Sequence, residues 1–226
     1  MTRELRVEDL GRRPYAEVLA LQREIAGERI AGTRPDTLLL VEHDPVVTLG
    51  RSSKAAHLLA DERMLAARGV DLFEIERGGD VTFHGPGQLV GYPIIDLTQH
   101  NQDLHWYLRQ LEQVLIDALA AFGVQGSRVE KYTGVWAGDR KIASIGVHAR
   151  SWVTWHGFAL NVSTDLAYFD LMVPCGIPHV RMTSIEQEVG RPVIMARVGA
   201  AIVECFRARF DFVTVAREST SGLDSH

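Results

Sequence analysis

Two cysteines, Cys175 and Cys205, are all that 226 residues hold, too few for a disulfide framework in a chain of this size. Apolar runs are short as well. Nothing approaches the roughly 18 consecutive apolar residues of a membrane span, and residues 1–14 alternate charge with single apolar positions, unlike a secretory segment. A cytoplasmic location with no membrane partner is the expectation. Basic clusters interleaved with aromatics are missing and the net charge is −5, so no nucleic acid partner is expected either. Metal-ligand spacing is absent too: His43, His57, His100, His105, His148, His156, His179 and His226 lie in no HExxH or Cys-x-x-Cys pattern, and isolated polar or surface roles are expected of them. Gly85-Pro86-Gly87 followed by Gly91 misses GxGxxG by one residue, and nothing matches GxxxxGK[ST], so a phosphate cradle is not expected.

What is present reads as alternating short strands and helices. Tyr15, Val18, Leu19, Gln22 and Ile25 follow a helical period after Pro14, with Gly27 or Gly32 as the stop. Residues 37–41 and 46–49 read as strands paired across a turn at His43-Asp44-Pro45. A short helix over 61–68 ends at Gly69, and strands over 70–75 and 89–97 flank a glycine-rich stretch. Residues 103–122 form the clearest amphipathic helix, with Leu104, Leu108, Leu111, Leu115 and Leu119 on one stripe and Gly123 as its cap. A hairpin turning at Gly138-Asp139 joins 135–137 to 140–149, then come a strand over 152–162, a helix over 195–210 and a polar tail over 218–226 expected to fray. Hairpins with helices at the start, middle and end predict an α+β domain of mixed, largely antiparallel sheets flanked by helices.

The stretch from Arg77 to Pro93 holds five glycines and two prolines, more than a connection between strands requires. Glycine serves where backbone takes positive φ or lies against another group, so this segment predicts main chain shaped for a ligand; a pair of tight turns is the competing reading. Cys175 lies in Pro174-Cys175-Gly176, where the neighbours forbid a regular helix and leave the thiol on an ordered loop. It is a candidate nucleophile, or a structural cysteine. Cys205 shares a helical face with Val198, Ala201 and Ile202 and predicts core packing. A nucleophilic thiol needs a base or cation beside it, because only a few per cent of free thiol is ionised at neutral pH. Lys141 shares a strand face with Ala143, Ile145 and Val147, where a lysine either snorkels from the strand end or is held away from water for chemistry. A desolvated amine beside a thiol can share one proton with it and pass it in both directions. His84, inside the glycine-rich segment, is the alternative base.

Four blocks in order, Arg77-Gly78-Gly79 through Thr82-Phe83-His84-Gly85-Pro86-Gly87-Gln88 to Gly91-Tyr92-Pro93, Lys141-Ile142-Ala143-Ser144-Ile145-Gly146, Gly157-Phe158-Ala159-Leu160-Asn161 and Pro174-Cys175-Gly176, resemble the lipoyl(octanoyl) transferase family, most clearly over residues 35–190. The resemblance implies a single catalytic domain over 1–226, with a fold related to the lipoate and biotin protein ligase catalytic domains and no cofactor. The implied reaction moves octanoyl from octanoyl-acyl carrier protein to a lysine of a lipoyl domain, those of 2-oxoacid dehydrogenase complexes and the glycine cleavage H protein being the implied acceptors. Cys175 would form the thioester and Lys141 would activate it. Arg77, Gly78, Gly79, Asp80, Val81, Thr82, Phe83, His84, Ser144, Ile145, Gly146, Gly157, Phe158 and Ala159 match the substrate-binding blocks.

Thioester exchange is nearly isoenergetic and thioester to amide is downhill, which agrees with the lack of a nucleotide loop. Backbone N–H groups at Gly78 and Gly79, or near Gly146 and Cys175, are candidates for an oxyanion hole. Acidic protein partners would dock on a local basic surface drawn from Arg51, Lys54, Arg77, Arg140 and Arg150. Two related activities compete: an amidotransferase between lipoyl-carrying proteins using the same residues, and an ATP-dependent lipoate ligase of the same fold that needs no cysteine. A non-catalytic module that binds acyl carrier protein is the alternative from another class.

Overall fold

In the computed structural model, residues 3–213 are described, and the tail expected over 218–226, with His226, lies outside the described residues. The chain opens with β1 (Arg3–Arg13), a strand that its alternating charges conceal, since only Leu5 in it is buried. Pro14 then leads into α1 (Tyr15–Ile30), which runs through Gly27 and stops before Gly32 at φ +75°. After β2 (Asp36–His43) and β3 (Val46–Leu49) comes α2 (Glu62–Ala67), capped by Asp61, whose carboxylate accepts from Met64 N–H at 2.8 Å. Three strands follow, β4 (Asp71–Glu74), β5 (Val81–His84) and β6 (Gln88–Ile94). Asp103 caps α3 (Leu104–Ala120) by accepting from the N–H groups of His105 and Trp106. The rest comprises β7 (Gly126–Ser127), β8 (Val135–Ala137), β9 (Arg140–Arg150), β10 (Val153–Asn161), β11 (Arg181–Met182), α4 (Ile185–Val189), α5 (Met195–Arg209) and β12 (Phe212–Val213).

A nine-stranded sheet runs in the order β12-β1-β2-β6-β10-β9-β8-β7, with β11 also pairing with β9, and a second sheet runs β4-β3-β5. Antiparallel pairing dominates the centre, while β1 lies parallel to β2 and β12. Alternation along β2 decides the layers. Leu38 and Leu40 face α3 and α5 with Leu111, Leu115, Leu119, Ile202 and Phe206, whereas Leu39 and Val41 face α1 with Val18 and Ile25. The leucine stripe of α3 fills the first core only from its second turn onward, because Leu104 is exposed. A third cluster joins Val47, Val81 and Phe83 of the small sheet to Phe169, Leu171 and Met172. Cys205 is half-buried against the main core, and burial pushes its thiol pKa up.

One expectation about pairing is corrected. β2 and β3 do not form a hairpin: β2 sits between β1 and β6, β3 between β4 and β5, and His43-Asp44-Pro45 carries the chain from one sheet to the other. The glycine-rich segment, expected to be more than a connection between strands, contains β5, and the turn after His84 returns the chain to the large sheet at β6. Crossing twice between sheets opens a seam, and the glycines lie along it. Among the described residues no helix is long and apolar enough to cross a membrane.

Candidate active site

A cavity of about 190 Å³ occupies that seam. The small sheet contributes Thr82 and His84 from β5, and the large sheet contributes Val90 and Tyr92 from β6, Ser144, Ile145 and Gly146 from β9, and Gly157, Phe158 and Ala159 from β10. Close backbone approach explains two of the glycines. A Cβ on Gly146 would lie 2.7 Å from Gly78 O, and one on Gly157 would lie 2.6 Å from Pro93 Cδ, so any side chain there would force the walls apart.

Cys175 sits in a single 3₁₀ turn, Pro174–Gly176, at φ 56° and ψ 19°, a left-handed conformation uncommon for a residue with a Cβ. Its Sγ lies 3.5 Å from Ser144 Oγ and both line the cavity. Lys141 lines the same cavity, near the start of β9, with its backbone paired to Trp136 of β8 and to Met182 of β11. Its side chain is fully buried, so it does not snorkel. Nζ donates to Thr133 O at 3.0 Å and lies 4.6 Å from the Trp136 ring centroid, while Ala143 and Val147 of the same strand join the main core. Among the described residues no carboxylate pairs with this amine.

Of the other residues singled out in the sequence, Arg77, Gly79 and Asp80 also line the cavity. Gly78, Val81 and Phe83 do not. Val81 and Phe83 alternate with Thr82 and His84 and therefore point into the third core cluster, and Gly78 N–H donates to Val147 O at 2.9 Å, which removes it as an oxyanion donor. Arg77 is buried rather than part of a docking surface: its guanidinium donates to Thr48 O and Thr48 Oγ1, both at 2.8 Å, and to Gly78 O at 3.1 Å. Burial pulls its pKa down. Arg140 is tied to Glu188 at 2.8 Å, which leaves Arg51, Lys54 and Arg150 from the proposed basic set.

His84 does not serve as the base for Cys175. Gln88 Nε2 donates to Phe83 O and Asn161 Oδ1, so Gln88 Oε1 must accept from His84 Nδ1 at 2.8 Å. Burial holds the His84 pKa at about 3, far too low for it to take a thiol proton, and the ring stacks on Tyr15 at 6.0 Å between centroids. Two further histidines correct the expectation of surface roles. His43 is wholly buried beside Tyr92 Oη at 2.7 Å, and His156 lines the cavity; burial lowers them to about 4 and about 3. His57 is bonded through Nδ1 to Asp80 Oδ2 at 2.6 Å.

Sequence reasoning missed Tyr15, Val90, Tyr92, Lys131, Tyr132, Thr133, His156 and Ile177 as lining residues. His156 adjoins the Gly157-Phe158-Ala159 block, and Thr133 precedes the hairpin that carries Lys141; adjacency was the available signal for these two. Tyr15 comes from α1 and meets the cavity only through tertiary folding. Among the described residues no cluster of three or more His, Cys, Asp or Glu is placed to hold a metal.

A buried amine and a left-handed cysteine turn thus face one cavity on a large mixed sheet flanked by helices. Residues 14–207 match the lipoyl protein ligase A/B catalytic domain, and the chain belongs to that family. Within it the chain is similar to the octanoyltransferase of Rubrobacter xylanophilus, 53% identical over 199 residues that cover 87% of this chain and 89% of the relative. The octanoyltransferase of Syntrophotalea carbinolica is 51% identical over 204 residues, 90% and 93% of the two chains. The fold recurs in a putative lipoate protein ligase from T. acidophilum with bound lipoic acid, at a TM-score of 0.74 and 20% identity, with 94% of this chain and 88% of that one covered. It recurs more distantly in the biotin protein ligase of Aquifex aeolicus, at a TM-score of 0.51 and 13% identity over 93% and 70% of the two chains.

Proposed function

We propose that this chain is an octanoyltransferase of protein lipoylation, a single cytoplasmic catalytic domain that moves octanoyl from octanoyl-acyl carrier protein to a lipoyl-domain lysine through a thioester on Cys175. The observation that carries the reading is that the Cys175 thiol and the buried Lys141 line one cavity, in a chain about half identical to octanoyltransferases over most of its length.

The chemistry divides into two transfers. Lys141 takes the thiol proton, the Cys175 thiolate attacks the donor thioester, and the proton returns to the departing pantetheine thiol. The acceptor lysine amine then attacks the acyl-enzyme carbonyl, the C–S bond breaks to release the Cys175 thiolate, and the amine's proton passes to Lys141, so the acceptor leaves as an amide and the thiol and amine again share one proton. No step needs activation by ATP. Val90, Ile145, Phe158, Ala159 and Ile177 supply apolar wall for the acyl chain, each buried methylene contributing about 0.8 kcal/mol, or roughly fourfold in selection. Of the other cavity residues, Arg77, Gly79, Asp80, Thr82, His84, Ser144, Gly146 and Gly157 shape the pocket around the reacting carbonyl.

The test is to incubate an apo lipoyl domain with the protein and either octanoyl-acyl carrier protein or octanoate with ATP, and to read the acceptor's mass. Transfer from the carrier protein alone supports the reading; transfer only from the free acid with ATP contradicts it and favours a ligase.

A further inference from the structure

The Cys175 turn has an uncommon backbone and must be held there by its surroundings, because a left-handed conformation is unfavourable for a residue with a Cβ. Gly176 N–H donates to Val173 O at 2.9 Å and Ile177 N–H to Pro174 O at 3.1 Å, which closes the turn on itself. What fixes it to the rest of the protein comes from two distant segments. His57 O accepts from Val173 N–H at 2.7 Å, and His57 Nδ1 bonds to Asp80 Oδ2 at 2.6 Å. Asp80 is itself anchored at the start of β5, where its Oδ1 accepts from Val81 N–H at 2.7 Å. Gly176 packs directly on this pair: a Cβ there would collide with Asp80 Oδ2 and lie 3.0 Å from His57 Nδ1.

We propose that His57 and Asp80 form a positioning clasp that holds the 174–176 turn in its left-handed conformation and so keeps the Cys175 thiol on the cavity wall beside Ser144. The clasp rests on Cys175 being the acyl-carrying nucleophile. A hydrogen-bonded pair on the open surface would have little influence, since exposed polar pairs are weak and replaceable. This one differs by place and burial. The Asp80 side chain is only 10% exposed and lines the same cavity as Cys175, and the His57 residue that grips it also binds the turn through its carbonyl. Neither residue needs to touch substrate to act, because moving the sulfur by about 1 Å can lower a rate on the order of a hundredfold.

The experiment compares wild type with His57→Ala, His57→Asn, Asp80→Ala and Gly176→Ala. Two rates are read for each: alkylation of Cys175 by iodoacetamide, located by mass, and single-turnover acylation from octanoyl-acyl carrier protein over a range of donor concentrations. His57→Ala and Asp80→Ala should lower both rates about tenfold or more, with the donor KM within about threefold. His57→Asn should recover most of the loss, because its amide Nδ2 donates from the place of Nδ1. Gly176→Ala, which leaves both polar groups in place but pushes a methyl between them, should resemble His57→Ala. Wild-type rates in both alanine variants would overturn the clasp. So would a folded His57→Asn that is no faster than His57→Ala, and if His57→Ala fails to fold, an unaltered Gly176→Ala has the same meaning. Alkylation needs no acyl donor, so a wild type that never takes up octanoyl counts against the proposed reaction while the clasp is still read from the alkylation rates.

Discussion

Lys141 is the residue on which the proposed chemistry depends most visibly. A lysine fully removed from solvent, with one carbonyl and one indole ring as partners and no carboxylate among the described residues, is poorly explained by stability alone. Lys141→Met retains the apolar stem and should keep the fold, with a melting temperature within a few degrees of wild type, while slowing acyl transfer by about a hundredfold or more. Lys141→Arg should fail as well, because a guanidinium stays charged and is planar where an ammonium is compact. A near-wild-type rate in the methionine variant, measured by single-turnover acylation, would remove Lys141 from the reaction. Both Lys141 and Cys175 were legible in the sequence because each is a reactive type in a setting that does not suit its ordinary role. Tyr15 and Lys131 were not legible, for an aromatic or a lysine in a common context carries no mark of the cavity that distant segments later build around it.

At the scale of elements, α3 and the seam behave differently. Leu115 is fully buried between α3 and the large sheet, so Leu115→Ala should lower unfolding free energy by about 2–5 kcal/mol in urea titration without altering the acylation rate of the folded fraction. Gly157→Ala should do the reverse in kind. It adds one methyl where Pro93 Cδ would stand 2.6 Å away, so β10 and β6 must separate at the cavity, and acyl transfer should fall by more than stability does. Steady-state rates set beside melting temperatures for the two variants check this contrast. The amphipathic α3 and the hairpin of β8 and β9 were legible because hydrophobic period and turn residues are local. β1 was concealed by its charges, and the separation of β2 from β3 could not be read from a turn signal: two adjacent strands look alike in sequence whether they pair with each other or with partners far away.

The whole molecule carries a built-in response to acid. His43, His84 and His156 are buried and titrate at about 4, about 3 and about 3 when folded, against about 6.5 in an unfolded chain. Their folded pKa values are depressed, so the unfolded chain binds more protons between these limits. Stability is fully present above about pH 6.5 and falls as pH drops toward 4, by at most ~1.4 kcal/mol per pH unit for each histidine. Glu76 adds a second, lower window. Burial would raise its carboxyl, but bonds from Arg23 and Trp155 prevail and hold it at about 2, so its contribution is lost as pH falls from about 4.5 to 2. Urea midpoints should therefore be level from pH 8 to about 7 and decline clearly by about pH 5; a midpoint unchanged at pH 5 would show that these rings do not stay neutral in the fold.

Octanoyl transfer through Cys175 demands an isolable acyl-enzyme, and intact-mass spectrometry tests for it directly. Mixed with octanoyl-acyl carrier protein and freed of donor, the wild type should carry one octanoyl group on Cys175, Cys175→Ser should carry none, and addition of apo lipoyl domain should discharge the adduct onto the acceptor lysine. An unmodified wild type that nevertheless octanoylates the lipoyl domain, or an adduct that stays on Cys175 when acceptor is added, would contradict it.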